Sequence, residues 1–338
     1  MKKDNNFCPI CKSSTYKFSK STYIDKNTKL DWVSDSTFNL SGLKSVNVQL
    51  RTCLKCCHSF LSPKFDTSLL YVNDKGYKER CKQRKIYFPD ANYLELNSSK
   101  KGGKILFEDV AKELERFRKI SLTISKLVKG IDLPNQEFRI LDWGGGDGYV
   151  SAIYASLIKG ITGKKSENVI YDYSKWRNIG DSKFIRKKKE VYKKFDIIIL
   201  SHVLEHTYDP IKEIKTTLKY ATKNCIFIIE VPDERHNLIM GALGKRFGMN
   251  YHVSTFTRSS LLKLLKICNI KSVITKYNFN SSYRGQICDV ISCVGILNGP
   301  NNNNFSNQNI ASEALSTLLV TLKKIIRKII RKIINKIN

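Results

Sequence analysis

Three groups of residues in this sequence are spaced for chemistry. The first is Asp142-Trp143-Gly144-Gly145-Gly146-Asp147-Gly148, an acid followed by glycines at alternate positions. Glycines let a backbone turn sharply and approach a ligand closely. If a helix starts directly afterwards, its free N–H groups point at that ligand. Further along, Val169-Ile170-Tyr171-Asp172 ends in a second acid, placed to accept hydrogen bonds from both hydroxyls of a ribose. Asp142, Gly144, Gly146, Gly148 and Asp172 are therefore candidate ligands of a nucleoside cofactor. NAD is the first competitor, but its fingerprint is G-x-G-x-x-G and the spacing here is G-x-G-x-G. A second mononucleotide-binding half is also lacking.

The second group is Cys8-Pro9-Ile10-Cys11 and Cys53-Leu54-Lys55-Cys56, two C-x-x-C pairs. Four thiolates from two such pairs suit a tetrahedral, structural zinc ion. Cys57 and His58 are rival ligands, and two-residue knuckle spacing favours Cys56. A redox pair is disfavoured, because neither pair precedes a helix inside a βαβ unit. The third group is histidine. His206 and His252 would be neutral at pH 7 if unperturbed and able to accept a proton, and Tyr251 stands beside His252. His202 and His206 are four apart, which on a helix would put them on one face. Glu205 and Glu230 read as supporting residues.

The elements that must position these groups follow from hydrophobic pattern. Phe138-Arg139-Ile140-Leu141-Asp142 reads as a buried strand, the glycine turn follows, and a helix is expected over residues 149–158. From Phe138 onward, short apolar runs alternate with helical stretches, the pattern of a parallel α/β sheet. A third strand is compressed into residues 183–186. Val46-Asn47-Val48-Gln49-Leu50 is a β-type run between the cysteine pairs. From Ile105, the residues Leu106, Val110, Leu114, Phe117, Ile120, Ile124 and Leu127 recur at helical spacing. The expected organisation is a zinc-binding module at 1–65 and a mixed, helical connector and lid at 66–135. A cofactor domain at 136–297, a polar linker at 298–311 and a basic amphipathic helix at 312–338 follow.

The run from Ile140 to Gly148 resembles the first motif of class I S-adenosylmethionine-dependent methyltransferases. Phe195-Asp196-Ile197-Ile198-Ile199-Leu200-Ser201-His202-Val203-Leu204-Glu205-His206, with Asp209-Pro210 downstream, resembles their fourth-strand motif. Cys225-Ile226-Phe227-Ile228-Ile229-Glu230-Val231-Pro232 fits their fifth strand. The resemblance implies a Rossmann-like, seven-stranded methyltransferase sheet whose last strand, at 288–297, is antiparallel. It also implies S-adenosylmethionine as cofactor, with Ser201 joining the cofactor set. With the cysteine module in front, the chain resembles the zinc-binding sugar C-methyltransferase-like group of surface-polysaccharide gene clusters. Tyr251-His252-Val253-Ser254-Thr255-Phe256-Thr257 is similar to a stretch of that group which leads into a helix, here expected at 259–268. In that stretch Tyr251 replaces the group's acid. The resemblance makes His206, His252 and Tyr251 the candidate catalytic residues.

Composition narrows the partners. At 41% hydrophobic residues the chain can bury a core, which excludes a disordered protein. No apolar run is long enough to span a membrane, and the N-terminus lacks the apolar core of a secretory signal. Ten cysteines then fit a reducing compartment. The expected location is cytoplasmic, peripheral at the inner membrane face. The net charge of +29 suits a polyanionic partner. Its densest part is the C-terminal helix, where Leu315, Leu318, Leu319, Leu322, Ile326, Ile329 and Ile330 share one face. Lys323, Lys324, Arg327, Lys328, Arg331 and Lys332 lie mostly opposite, and no acid follows Glu313. An all-basic polar face suits an anionic lipid surface, with self-association and RNA as alternatives. The functional expectation is methyl transfer to a sugar, nucleotide-sugar or lipid-linked saccharide. An RNA methyltransferase and a non-enzymatic zinc and membrane adaptor are the alternatives.

Overall fold

The structure, a computed structural model, describes residues 7–24, 46–64, 117–118, 120–127, 137–173, 182–233, 252–281 and 287–298. Its main sheet follows from apolar runs joined by helical crossovers. Strand β5 (Glu137–Trp143) leads through the glycine turn into α1 (Tyr149–Thr162) and back to β6 (Lys165–Tyr171), with β7 (Lys183–Ile185) beyond. The chain then crosses to the other side of β5 for β8 (Phe195–Ser201), α2 (Pro210–Leu218) and β9 (Ala221–Pro232). After α3 (Arg258–Ile267) come β11 (Ile270–Ser281) and β12 (Ile287–Leu297). The order is β11-β12-β9-β8-β5-β6-β7. Strands β5 to β9 are parallel, and β12 runs antiparallel to both β9 and β11, as the resemblance implied.

Burial explains why the central strands read as continuous apolar runs: both faces are covered. One face packs Ile140, Ile197, Ile199, Ile226 and Ile228 against α1 and against Phe117, Ile120 and Ile124 of the helical residues 117–118 and 120–127. The opposite face packs Leu141, Trp143, Ile198, Phe227 and Ile229 with Ile214 of α2 and Leu261, Leu264 and Leu265 of α3. The start of each covering helix is specified locally. Asp209 caps α2, its carboxylate accepting from the Lys212 N–H at 3.0 Å, with Pro210 in the first turn. Thr257 and Ser260 form a reciprocal capping box on α3. In the fourth-strand motif, Asp196 accepts the Arg139 N–H at 3.0 Å, which ties β8 to β5.

A second, smaller sheet joins the cysteine module to this domain. It runs β1 (Tyr16–Phe18), β3 (Val46–Cys53), β4 (Ser59–Ser62) and β10 (Ser254–Thr255), with β2 (Thr22–Ile24) paired to β3. The last strand thus comes from far along the chain: Ser254 pairs with Phe60 and Thr255 with Ser59. Val253, one residue earlier, accepts the Leu61 N–H at 3.0 Å and donates its own N–H to the Glu205 carbonyl at 2.9 Å. Phe256, 1% exposed, lies against the His58 ring with centroids 4.9 Å apart. Ile10, Cys8, Cys53 and Cys56 share one apolar cluster with Phe256 and the sheet.

Within the described residues, the elements read from sequence lie where expected to within a few residues at their ends, the strand expected at 183–186 ending one residue early. The first strand and α1 outrun their expected ranges, and the β-type run at 46–50 continues to Cys53. One expectation is corrected. His202 and His206 do not share a helical face: His202 adopts a left-handed conformation (φ 56) after β8, and His206 ends a short 3-10 turn, Leu204–His206. The linker at 298–311, but for its first residue, and the helix at 312–338 lie outside the described residues, as does the connector apart from residues 117–118 and 120–127. Among the described residues, no helix is long and apolar enough to cross a membrane.

If Phe256 locks the two sheets together, Phe256→Ala should cost about 3–5 kcal/mol in denaturant unfolding. It should also make the loop between β3 and β4 sensitive to limited proteolysis under native conditions. An unchanged denaturation midpoint would mean that the packing of Phe256 does not hold the module down.

Candidate functional site

The main sheet reverses its winding between β5 and β8, and a ligand crevice is expected beyond the carboxyl ends of the strands there. The glycine turn sits at that point. Gly144, Gly146 and Gly148 have φ of 71, 58 and 80°, a region that side chains disfavour. A Cβ on Gly144 would meet Val203 Cγ2 at 2.9 Å, and one on Gly145 would overlap the Asp142 carboxyl group. The turn is held by backbone: the Gly144 N–H donates to the Tyr171 carbonyl at 2.7 Å, and the Gly146 N–H donates to Asp172 Oδ2 at 2.9 Å. Trp143 pins it to α2, its indole donating to Glu213 Oε1 at 2.6 Å, and its ring lies 4.2 Å from that of Tyr171.

Asp142 is the strained member of this group. It is 1% exposed, and its Oδ2 accepts the Ser151 N–H at 3.3 Å. Its Oδ1 has no hydrogen-bond partner among the described residues. Burial pushes its carboxyl up from the usual 3.8 to about 7, against the pull of Ser151. A cationic ligand group beside that oxygen would satisfy it, as the ammonium of S-adenosylmethionine would. Asp172, 6% exposed and directly after β6, is tied to the turn through its Oδ2, and its place in the sequence pattern assigns it to ribose hydroxyls. These residues fit the cofactor expected from the sequence, whose sulfonium supplies an activated methyl group. Ser201, the last residue of β8, is half-buried, and its hydroxyl donates to Glu230 Oε2 at 2.9 Å. Glu230 is fully buried, and its other oxygen accepts from Ser292 at 2.9 Å. Three neighbouring strands are thus bridged by one carboxylate.

Next to the turn, the end of β8 carries the second candidate group. His206 and His252 come together, ring centroids 5.0 Å apart and planes inclined by 60°. Between them and His202 lies Glu205, 1% exposed. His202 Nδ1 is 3.1 Å and His206 Nε2 is 4.0 Å from Glu205 Oε1. Burial works to raise the Glu205 carboxyl, but the His202 hydrogen bond and the surrounding imidazoles outweigh it and hold it at about 2. Burial pushes His206 down to about 3, so it is neutral at pH 7. Tyr251 lies outside the described residues.

The four cysteines of the two pairs also converge. The sulfurs of Cys8 and Cys56 are 3.6 Å apart and those of Cys11 and Cys53 are 3.5 Å apart, and all four lie within 4.8 Å of one another. Sulfurs on one tetrahedral zinc ion sit about 3.8 Å apart, so the spacing fits. Cys56 belongs to this group and Cys57, in a left-handed conformation (φ 59), does not, while His58 stacks on Phe60 and lies tilted against Phe256. Sequence spacing had singled out His206 and His252 separately. It assigned Glu205 only a supporting part and gave no sign that all three side chains meet. Their meeting depends on pairing between Val253 and Leu61, which hydrophobic pattern does not encode.

A profile for a methyltransferase domain matches residues 103–271. None of the curated proteins matches the chain. Among solved structures, the chain is similar to the magnesium protoporphyrin IX methyltransferase of Synechocystis, crystallised with bound S-adenosylmethionine. That likeness has 14% identity, covers 69% of this chain and 99% of that one, and has a TM-score of 0.42. An S-adenosylmethionine-dependent methyltransferase of Methanosarcina mazei is 14% identical over 50% of this chain and 96% of its own, with a TM-score of 0.37. The plantazolicin methyltransferase BpumL is 16% identical over 65% and 98%, with a TM-score of 0.36.

The buried Asp142 gives the site a pH signature. Its folded pKa is raised, so between the usual 3.8 and about 7 the folded chain holds a proton that the unfolded chain has lost. Stability should therefore fall as pH rises through that window, by up to about 1.4 kcal/mol per pH unit, and level off above it. Asp142→Asn removes the effect. Denaturant unfolding of the cofactor-free protein should show the variant gaining on the wild type from pH 4 to 7. A difference that stays constant with pH would contradict the buried-carboxyl assignment.

Proposed function

The chain is an S-adenosylmethionine-dependent methyltransferase of the methyltransferase-domain family, and we propose that its acceptor is a sugar, nucleotide-sugar or lipid-linked saccharide. The observation that carries this reading is the meeting of His206, His252 and Glu205 at the end of β8, beside the glycine turn and under the cysteine module. A cluster of titratable side chains, held against the sheet of the cysteine module, suits a compact polyhydroxy acceptor. In this reading Asp142, Gly144, Gly146, Gly148, Asp172 and Ser201 line the cofactor side. His206, His252 and Tyr251 face the acceptor, and one of the histidines takes the proton that the acceptor loses. Membership of an enzyme family weighs against a non-catalytic adaptor.

Cys8, Cys11, Cys53 and Cys56 hold a structural zinc ion in this account. Its role is to keep β3 and β4 in place, so that β4 in turn positions the chain around His252. The basic segment at 312–338 tethers the enzyme to an anionic membrane surface, where lipid-linked precursors are found. Each Lys or Arg near such a surface contributes about 1 kcal/mol. The net charge of +29 supports RNA as the alternative acceptor.

Untargeted mass spectrometry of glycans and of total RNA, from cells with and without the protein, separates the two. A glycan or its activated precursor should lose one methyl group when the protein is absent, with RNA methylation unchanged. Unaltered glycans with a methylated nucleotide missing from RNA would overturn the saccharide reading.

A further inference from the structure

We propose that Glu205, His206 and His252 hold a second divalent cation, of the zinc class, separate from the four-cysteine cluster and on the acceptor side of the methyl-transfer centre. One ligand atom from each lies within 4.8 Å of the others. Two imidazoles and one carboxylate are the donor set of zinc-class sites that keep open coordination positions. The cysteine cluster, with four sulfurs, is of the closed, structural kind.

The carboxylate is the strongest pointer. Glu205 is 1% exposed, and its Oε2 has no hydrogen-bond partner among the described residues. A buried carboxylate oxygen left without a partner is costly, and a cation removes that cost. The other oxygen is held by His202 Nδ1 at 3.1 Å, the kind of outer contact that orients a metal-binding carboxylate. His206 Nε2, at 4.0 Å from Glu205 Oε1, is too far for a hydrogen bond. Donors bound to one zinc-class ion sit about 3–4 Å apart, and one carboxylate oxygen of Glu205 lies within 4.8 Å of a ring nitrogen of His206 and of His252, so small side-chain shifts bring all three onto one ion.

The site is also built from outside its own segment. His252 is far from Glu205 in sequence, yet the next residue, Val253, is bonded by its N–H to the Glu205 carbonyl and by its carbonyl to Leu61. Ser254 Oγ then donates to the Thr207 carbonyl at 2.6 Å. Three hydrogen bonds around one residue fix the backbone that presents the imidazole. The His206 side chain remains 24% exposed, so the group has an open side.

This inference rests on the reading above that the acceptor enters at the end of β8. An ion with three protein ligands has room for an acceptor hydroxyl and makes that hydroxyl more acidic. With both imidazoles on the ion, the ion takes over the activating part that a free histidine base would otherwise play, and the hydroxyl proton leaves to solvent. Its oxygen forms the new bond to the methyl carbon, while the carbon–sulfur bond of the donor breaks and leaves its electron pair on sulfur, turning a sulfonium into a neutral thioether. The acceptor class is therefore an alcohol, and the product an O-methyl ether.

Cobalt(II) titration of the full-length protein tests the site, because cobalt on thiolates gives an intense near-ultraviolet charge-transfer band and cobalt on imidazole and carboxylate does not. We expect one equivalent of cobalt to bind without the thiolate band. That equivalent should weaken at least about 100-fold in His206→Ala and in His252→Ala, while the thiolate band persists in both. S-Adenosylmethionine affinity, measured by calorimetry on the same samples, should stay within about twofold, which separates this site from the cofactor reading. Cobalt that shows only the thiolate signature overturns the proposal. So does a non-thiolate equivalent that survives in both variants.

Discussion

The backbone of Val253 is held from two directions, and much of the site depends on it. Its N–H donates to Glu205, which follows the fourth strand of the methyltransferase sheet, and its carbonyl accepts from Leu61 of the cysteine module. Each such bond contributes only about 1 kcal/mol net. Their consequence is geometric: they bring His252, Glu205 and His206 into one group, although no regular element contains all three. The module is thus part of the site's construction. β3 pairs with β4, β4 pairs with Ser254 and Thr255, and that pairing fixes the residues that follow His252.

The cofactor side is built on a different principle. There, the constraint is the backbone itself: three glycines in left-handed conformations turn the chain from β5 into α1 in very little space. Val203 lies against Gly144 on one side of the turn and Asp142 against Gly145 on the other. The turn and the histidine–carboxylate group therefore meet through Val203, which belongs to the same segment as Glu205. Both groups draw on a few residues of chain at the point where the sheet reverses its winding. Burial of Asp142 with one oxygen unpartnered is a destabilising feature for the fold alone, and it makes sense as a ligand contact.

How much of this was legible in the sequence varies with the range of the interaction. The strand–turn–helix at Asp142 to Tyr149 is local, and glycine spacing with apolar runs was enough to read it. The same holds for the start of α2, where Asp209-Pro210 is a helix cap by residue type alone. The cysteine pairs were legible because metal-ligand spacing is itself a local pattern, even though their meeting spans the long β3 excursion. The roles of Glu205 and Glu230 were not legible. A carboxylate in an apolar run says little until the register shows Ser201, Glu230 and Ser292 side by side on three strands. The His202–His206 spacing misled for a related reason. Four residues imply one face only if the segment is helical, and here a left-handed residue intervenes before a 3-10 turn.

The claim on which the account turns is that the glycine turn binds S-adenosylmethionine. Calorimetric titration of the intact chain and of Gly146→Val tests it most directly, because Gly146 has φ 58° and its N–H donates to Asp172, so a valine would strain the turn at the point where it is tied to that acid. The account predicts one S-adenosylmethionine site per chain, no response to NAD, and loss of binding in a variant whose circular dichroism remains that of the wild type. Binding that survives in Gly146→Val, or heat released by NAD in place of S-adenosylmethionine, would contradict it.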